Sequence, residues 1–273
     1  MRLMNKEQAE PKEEGRALRN IRLLVAYDGT DFSGWQRQSK SRTVQGVIEA
    51  GLEKIHKKKI TLSGSGRTDA GVHAAGQVAN FYTSIKNMEA SRFVPALNRI
   101  LPRDIRILKA EEAPLEFHSR FDAKYRTYRY NIIPAYKALP WDLRYAWQIW
   151  RYPRIDKLNA YASLLRDEMD CTYFSVPRDK SLSRNRTIYR SSFWAQGERL
   201  IFEITANAFL WKMVRSIVGT FLYYEEKDLS PLDLKNVIVQ GDRSLVGPTA
   251  PAEGLFLWKV GYYKEYEAPL PIP

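Results

Sequence analysis

The sequence predicts an α+β fold: two ferredoxin-like/RNA-recognition-like halves sharing a largely antiparallel sheet, with helices on one side and a central cleft. Three observations lead there. Between residues 20 and 110 the expected elements run β-α-β-β-α-β, which is the split βαβ order. The second half repeats that flavour but not the sequence, and there is no repeat at a solenoid period. Strands and helices also fail to alternate in the regular way of a doubly wound sheet.

Each element has its own reason. NIRLLVAY, residues 20–27, is aliphatic and β-branched and predicts a strand, and DGT at 28–30 supplies turn chemistry after it. Thr43 is placed to cap a helix whose apolar stripe is Val44, Val47, Ile48, Leu52 and Ile55. ITLS at 60–63 predicts a short strand, the glycine-rich run 64–76 a loop, and the alternating QVANFY at 77–82 another strand. A helix is expected over Ser91–Leu101, with Pro95 tolerable only in its first turn. DIRILKA at 104–110 alternates as a strand.

In the second half, residues 124–133 predict a long strand, and Ile155, Leu158, Ala162, Leu165 and Met169 predict a helix over 155–169. Two strands are expected at 186–194 and 199–206. Leu210 to Leu222 is strongly periodic and helical, Ser230-Pro231 starts one more helix, and 254–262 closes as a strand. The expected organisation is a disordered extension over 1–18, an N-terminal domain over 19–116, a C-terminal domain over 117–265 and a tail over 266–273. The boundary is expected near 112–122, and the crevice between the halves is the expected place for a site.

Composition narrows the function. A chain of 273 residues, 44% of them hydrophobic, can bury a sizeable core without staples. Cys171 is the single cysteine, so no internal disulfide can form, which fits a reducing compartment. No apolar run approaches the roughly 18 residues of a membrane span, and the first twenty residues lack a signal-peptide core. A cytoplasmic protein without membrane contact is expected. The net charge is +12, and basic residues interleave with aromatic ones in KYRTYRY (124–130), RYAWQIWRYPR (144–154) and FLWKMVR (209–215). That pairing of phosphate-binding cations with base-stacking rings favours nucleic acid over the blander reading of solubility charge.

The run GSGRTDAGVHAAGQV, residues 64–78, is the main candidate for chemistry. It is neither a Walker loop nor a dinucleotide fingerprint. Three histidines and one cysteine without ligand spacing argue against a metal site, and no G-x-S-x-G elbow is present. Asp69 could simply make an Asx turn, but that leaves Arg67 and the glycines around it unexplained. An oriented carboxylate can serve as nucleophile or base. Arg215, on the margin of the most hydrophobic helix, is either a snorkelling arginine or a partly buried partner for Asp69. Tyr128 shares a strand face with Arg126, Tyr130 and Ile132, and is either core or the wall of a cleft. A non-catalytic RNA-binding protein or chaperone, and a nucleic-acid hydrolase built on Asp69, are the rival readings.

Six blocks carry a resemblance: YDGTDFSGWQRQ (27–38), TVQGVIEAGLEKI (43–55), SGSGRTDAGVHAAGQVANF (63–81), FHSRFDAKYRTYRY (117–130), ITANAFLWKMVRSIVG (204–219) and GPTAPAEGLFLWKVGY (247–262). From Ile21 to Tyr263 the chain resembles the tRNA pseudouridine synthase A family, departing from its commoner wording at Asn80 and at Trp211-Lys212. The resemblance implies that Asp69 is the catalytic aspartate of uridine isomerisation and that Tyr128 stacks on the target uracil. It also implies that Arg67 helps to extrude the nucleotide and that Arg215 pairs with the aspartate. The implied substrate is the anticodon stem-loop of tRNA, acted on by a homodimer without metal or organic cofactor.

Overall fold

A computed structural model gives the structure of the protein and describes residues 18–176, 179, 181–240 and 245–263. The expected extension, save residue 18, and the expected tail lie outside the described residues.

One sheet runs through the described chain. Its strands are β1 (Arg19–Tyr27), β2 (Ser63–Gly64), β3 (His73–Thr83), β4 (Ile105–Ala113), β5 (Tyr125–Pro134), β6 (Trp147–Ile149), β7 (Asp167–Asp170), β8 (Asn185–Gln196), β9 (Arg199–Ala206) and β10 (Leu255–Gly261). Their order is β4-β1-β3-β10-β5-β9-β8-β7, with β2 added to β3 and β6 to β5. Only β10 with β3 and β6 with β5 pair in parallel; the other ladders are antiparallel. The last strand therefore lies between the two halves. Leu257 of β10 stands opposite Ala74 of β3 on one side and Tyr128 of β5 on the other.

The helices are α1 (Val44–His56), α2 (Phe93–Ile100), α3 (Ile155–Ala162), α4 (Met213–Glu226) and α5 (Pro231–Gln240). Directly opposed residues of a ladder share a face. That rule links Ile21 to Phe81, Tyr27 to Ala74, Ala74 to Leu257, Leu257 to Tyr128, and Tyr130 to Phe202. On this face Phe81 meets Phe93 of α2 at 5.3 Å and His56 of α1 at 5.8 Å, and Phe202 meets Phe221 of α4 at 6.0 Å. Tyr161 of α3 lies 5.8 Å from Phe221. So α1 to α4 all cover one side of the sheet, in two groups, above a middle formed by β3, β10 and β5.

Local chemistry sets the ends. Thr43 Oγ1 accepts from the Gly46 N–H at 3.4 Å and caps α1. Ser230 and Asp233 cap each other reciprocally, Asp233 N–H to Ser230 Oγ at 3.2 Å and Ser230 N–H to Asp233 Oδ2 at 2.7 Å. Three expectations are corrected. The strand at 60–63 shrinks to Ser63–Gly64, and β3 starts at His73, inside the run expected as loop. The helix expected over 155–169 stops at Ala162. Leu165 is buried beyond its end, and Asp167, at φ 62°, turns the chain so that Met169 pairs with Arg186 in β7. Periodicity persisted because Leu165 still faces the core. The short β6 was not anticipated.

An ion-pair knot joins the segment before α3 to the end of α4. The buried Glu225 carboxylate accepts from Arg151 at 3.0 Å, from the Arg154 backbone at 3.2 Å and from Arg154 Nε at 3.0 Å. Burial pushes this carboxyl up, but the hydrogen bonds from Arg151 and Arg154 outweigh it and hold Glu225 below the usual glutamate range. A folded value below the unfolded one stabilises above the unfolded pKa of about 4.3, and that contribution is lost as pH falls through the folded value. Glu225→Gln should cost about 2 kcal/mol at pH 7, typical of hydrogen bonds to a charged group. In denaturant melts across pH the gap to wild type should close below about pH 4. A gap that persists unchanged at low pH would refute the ionic origin.

Candidate active site

The glycine-rich loop between β2 and β3 is clamped from two directions. From the turn after β1, Trp35 N–H donates to Thr68 O at 3.1 Å, and Tyr27 and Thr68 hydroxyls are 2.8 Å apart. Gly71 N–H reaches Phe32 O at 3.3 Å. From β3, Gln77 accepts from Ser65 Oγ at 2.6 Å and donates to Gly66 O at 2.9 Å. The glycines mostly serve this clamp. A Cβ at Gly64 would stand 2.4 Å from Trp35 Nε1, and one at Gly76 would stand 2.3 Å from Trp258 O across the β10 seam. Gly71 has φ +78°. Gly66 alone among the glycines of this loop opens onto free space, with nothing within 4 Å of a Cβ placed there.

Asp69 emerges from this loop toward the second half, a quarter exposed. Its Oδ1 accepts from the Trp211 indole Nε1–H at 2.8 Å, and its Oδ2 from Arg215 Nη1 at 3.4 Å. Arg215 is not a snorkelling side chain: it is 15% exposed and its Nε donates to Ala250 O at 2.7 Å. Trp211 reaches Asp69 because Lys212, just before α4, adopts φ 61° and reverses the chain. The Trp211 backbone N–H is itself tied to the Asp179 carboxylate. The carboxylate thus has one neutral and one charged donor, both from the second half of the chain.

Tyr128 lies on the helix-covered face of β5 and is 9% exposed, with Phe209 edge-on at a ring distance of 5.0 Å. Burial pushes its phenol up to about 12; Arg126 opposes that and the charge of Asp69 adds to it. The hydroxyl is therefore neutral at physiological pH. Arg126 is a strut: its guanidinium donates to Ala123 O (3.2 Å), Asn207 O (2.9 Å), Ser65 O (3.0 Å) and Arg120 O (2.9 Å). Asn80 likewise knits the halves, donating to Asn20 and accepting from Ser119 N–H at 2.9 Å.

Arg67 makes no bond to Asp69. Its Nε donates to Gln36 Oε1 at 3.1 Å, Gln36 donates to Gln45 at 2.9 Å, and Gln45 donates to the buried Glu49 at 3.1 Å. The structure therefore brings Asp69, Arg215 and Tyr128 to one place and sets Arg67 on the rim. Trp211 and Gln36 were missed as site residues. Trp211 did carry a signal, one helical turn from Arg215 and at a departure from the family wording; Gln36 carried none.

The aromatic-basic runs are also revised. In the stretch 137–154 every basic side chain faces carboxylates: Lys137 Glu198, Arg144 Asp31, Arg151 Glu225, and Arg154 both Glu225 and Asp228. Arg129 pairs with Glu203 at 2.7 Å and lies 4.0 Å from the Trp258 ring centre. In the 137–154 stretch and at Arg129, interleaving in sequence did not mean cations free for phosphate.

A family model described as tRNA pseudouridine synthase matches residues 23–122 and 164–263. The tRNA pseudouridine synthase A of Treponema denticola is 51% identical over 249 residues, 89% of this chain and 93% of that protein. The protein of that name in Treponema pallidum is 48% identical over 236 residues, 85% of this chain and 84% of its own length. In Geobacillus kaustophilus the figure is 42% over 247 residues, 90% and 95% respectively.

Gly64→Ala should lower thermal stability, since overpacking against Trp35 costs about 1–3 kcal/mol, and should loosen the 65–72 loop. Amide exchange of Ser65 to Val72 is the readout. Gly66→Ala, with open space at its Cβ, should leave the loop's protection intact; equal losses in both would refute the packing argument.

Proposed function

The chain belongs to the tRNA pseudouridine synthase family, and we propose that it isomerises uridines of the tRNA anticodon stem-loop to pseudouridine, with Asp69 as the catalytic carboxylate. The observation that carries this is the doubly held carboxylate of Asp69. In the reaction the C1′–N1 bond breaks, the uracil turns, a C1′–C5 bond forms, C5 loses its proton and N1 gains one. Atoms and electrons balance within the nucleotide, so the chemistry calls for no oxidant, metal or organic cofactor.

The target base must leave its stack, at a cost of a few kcal/mol. Arg67, on the rim and pre-aimed by Gln36, is suited to fill the vacated position. Tyr128 offers a neutral ring for stacking, worth about 1–3 kcal/mol; Phe209 lies against it and must share or yield that place. Asp69 then acts on C6 of the base, on C1′, or on the C2′ proton. Trp211 and Arg215 hold the carboxylate aimed along whichever of these routes operates.

A homodimer in the cytoplasm completes the reading. The 136–152 stretch supports self-association. Tyr136, Trp141, Leu143 and Trp150 are exposed, Trp150 at 91%, while the cations of that stretch are already paired. Such a surface is apolar more than electrostatic and suits a protein partner.

Asp69→Asn should lower tritium release from C5-labelled tRNA by about 10³-fold or more, the upper range for a single acid-base group, with tRNA binding preserved. Appreciable turnover by the variant would rule out the carboxylate's role, and binding without release by the wild type would favour the non-catalytic RNA-binding reading. Trp211→Phe removes the indole N–H bond to Asp69 together with one ring of the indole, and should cost on the order of tenfold in kcat with KM little changed, the range for one hydrogen bond to a charged group. An unchanged kcat would show that Trp211 does not position Asp69.

A further inference from the structure

Most arginines described above have partners, and two near Asp69 stand out. Arg67 uses only its Nε, on a neutral amide, and both its terminal nitrogens are left over. Arg120 donates no hydrogen bond recorded among the described residues, and its guanidinium lies only 5.8 Å from the ring of its own neighbour Phe121. No carboxylate pairs with either among the described residues.

Their backbones are locked side by side. One nitrogen of Arg126, Nη2, donates at once to Ser65 O at 3.0 Å and to Arg120 O at 2.9 Å. Ser119 Oγ donates to Ser63 O at 2.7 Å, and Ser119 N–H to Asn80 Oδ1 at 2.9 Å. The 119–120 turn therefore runs beside β2 and the bend at 65–66, and the charge of Arg67 is felt at Arg120. Gly66, next to Arg67 in the chain, would have nothing within 4 Å of a Cβ placed on it. Burial, and then the charge of Arg67, hold the Arg120 guanidinium below the ordinary arginine range. Arginine does not give up its proton, so the part due to Arg67 marks repulsion that an anion would relieve.

We propose that Arg67 and Arg120 form a two-pronged site for one phosphodiester of the RNA substrate, with Arg126 as the strut that sets their spacing. A guanidinium presents a planar fork that matches phosphate oxygens, and two forks can grip one phosphate from both sides. Arg67 is two residues from Asp69, so their Cα atoms are within about 7 Å. The phosphate held is consequently one bordering the nucleotide at Asp69. The open space at Gly66, beside Arg67, lets the RNA backbone settle there without meeting a side chain. The proposal rests on the pseudouridine reading only for the identity of the RNA.

The test is equilibrium binding of an unmodified tRNA transcript to the full-length Asp69→Asn protein, titrated across salt. Arg120→Gln, Arg67→Gln and the pair are compared in that background, and a thermal melt checks each fold. Arg120→Gln should weaken binding on the order of tenfold and reduce the slope of log affinity against log salt by about 0.7–0.9, the loss of one phosphate contact. Arg120→Lys should restore the slope. Because both prongs serve one phosphate, the pair should lose much less than the product of the single losses. An unchanged slope in Arg120→Gln, or losses that multiply, would overturn the shared site. Tritium release by the wild type is measured beside this, so failure of the catalytic reading shows there and leaves the binding result to judge the phosphate site.

Discussion

The carboxylate of Asp69 leaves a loop of the first half, yet both of its donors, the Trp211 indole and the Arg215 guanidinium, come from the second. Nothing local to the loop could hold it this way. The contact exists because β10, the last strand, is inserted between β3 and β5 and fixes their register. Arg126 of β5 adds a hydrogen bond across the same seam, to Ser65 O. Interiors are close-packed and low in compressibility, so such a seam can transmit position from one half to the other. The site is thus a property of the whole sheet.

Charge is sorted over this frame. A net charge of +12 says that the protein is suited to a polyanion, but not where. The stretch from Lys137 to Arg154 spends its cations on Glu198, Asp31, Glu225 and Asp228. In the loop that carries Asp69, the exposed Arg67 meets only an amide. A cation without a carboxylate partner, such as Arg67, is free to attract phosphate. The exposed rings of the 136–152 stretch belong to a different kind of surface.

Much of this could be read in the residues. The order of elements in the first half, the capping Thr43 and Ser230, and the pairing of Arg215 with Asp69 all followed from spacing and chemistry, or from resemblance. Other features could not. The helix expected through Met169 ended early because Asp167 takes a left-handed conformation, and that is a tertiary outcome without a glycine to announce it. The sequence left the glycines of the 64–76 run unexplained; Gly64 and Gly76 turn out to make room for Trp35 and for β10, residues distant in sequence. The Gln36–Gln45–Glu49 relay behind Arg67 and the four-carbonyl strut of Arg126 depend on contacts that no one-dimensional pattern carries.

The central claim is that catalysis depends on where the carboxylate stands as much as on its presence. Asp69→Glu keeps the charge but displaces it by one methylene from the Trp211 and Arg215 donors. Single-turnover tritium release by this variant, with tRNA saturating, tests the claim most directly. The account predicts a loss of about 10²-fold, as expected for a misplacement of about 1 Å, with RNA binding intact. A rate close to that of wild type would contradict it.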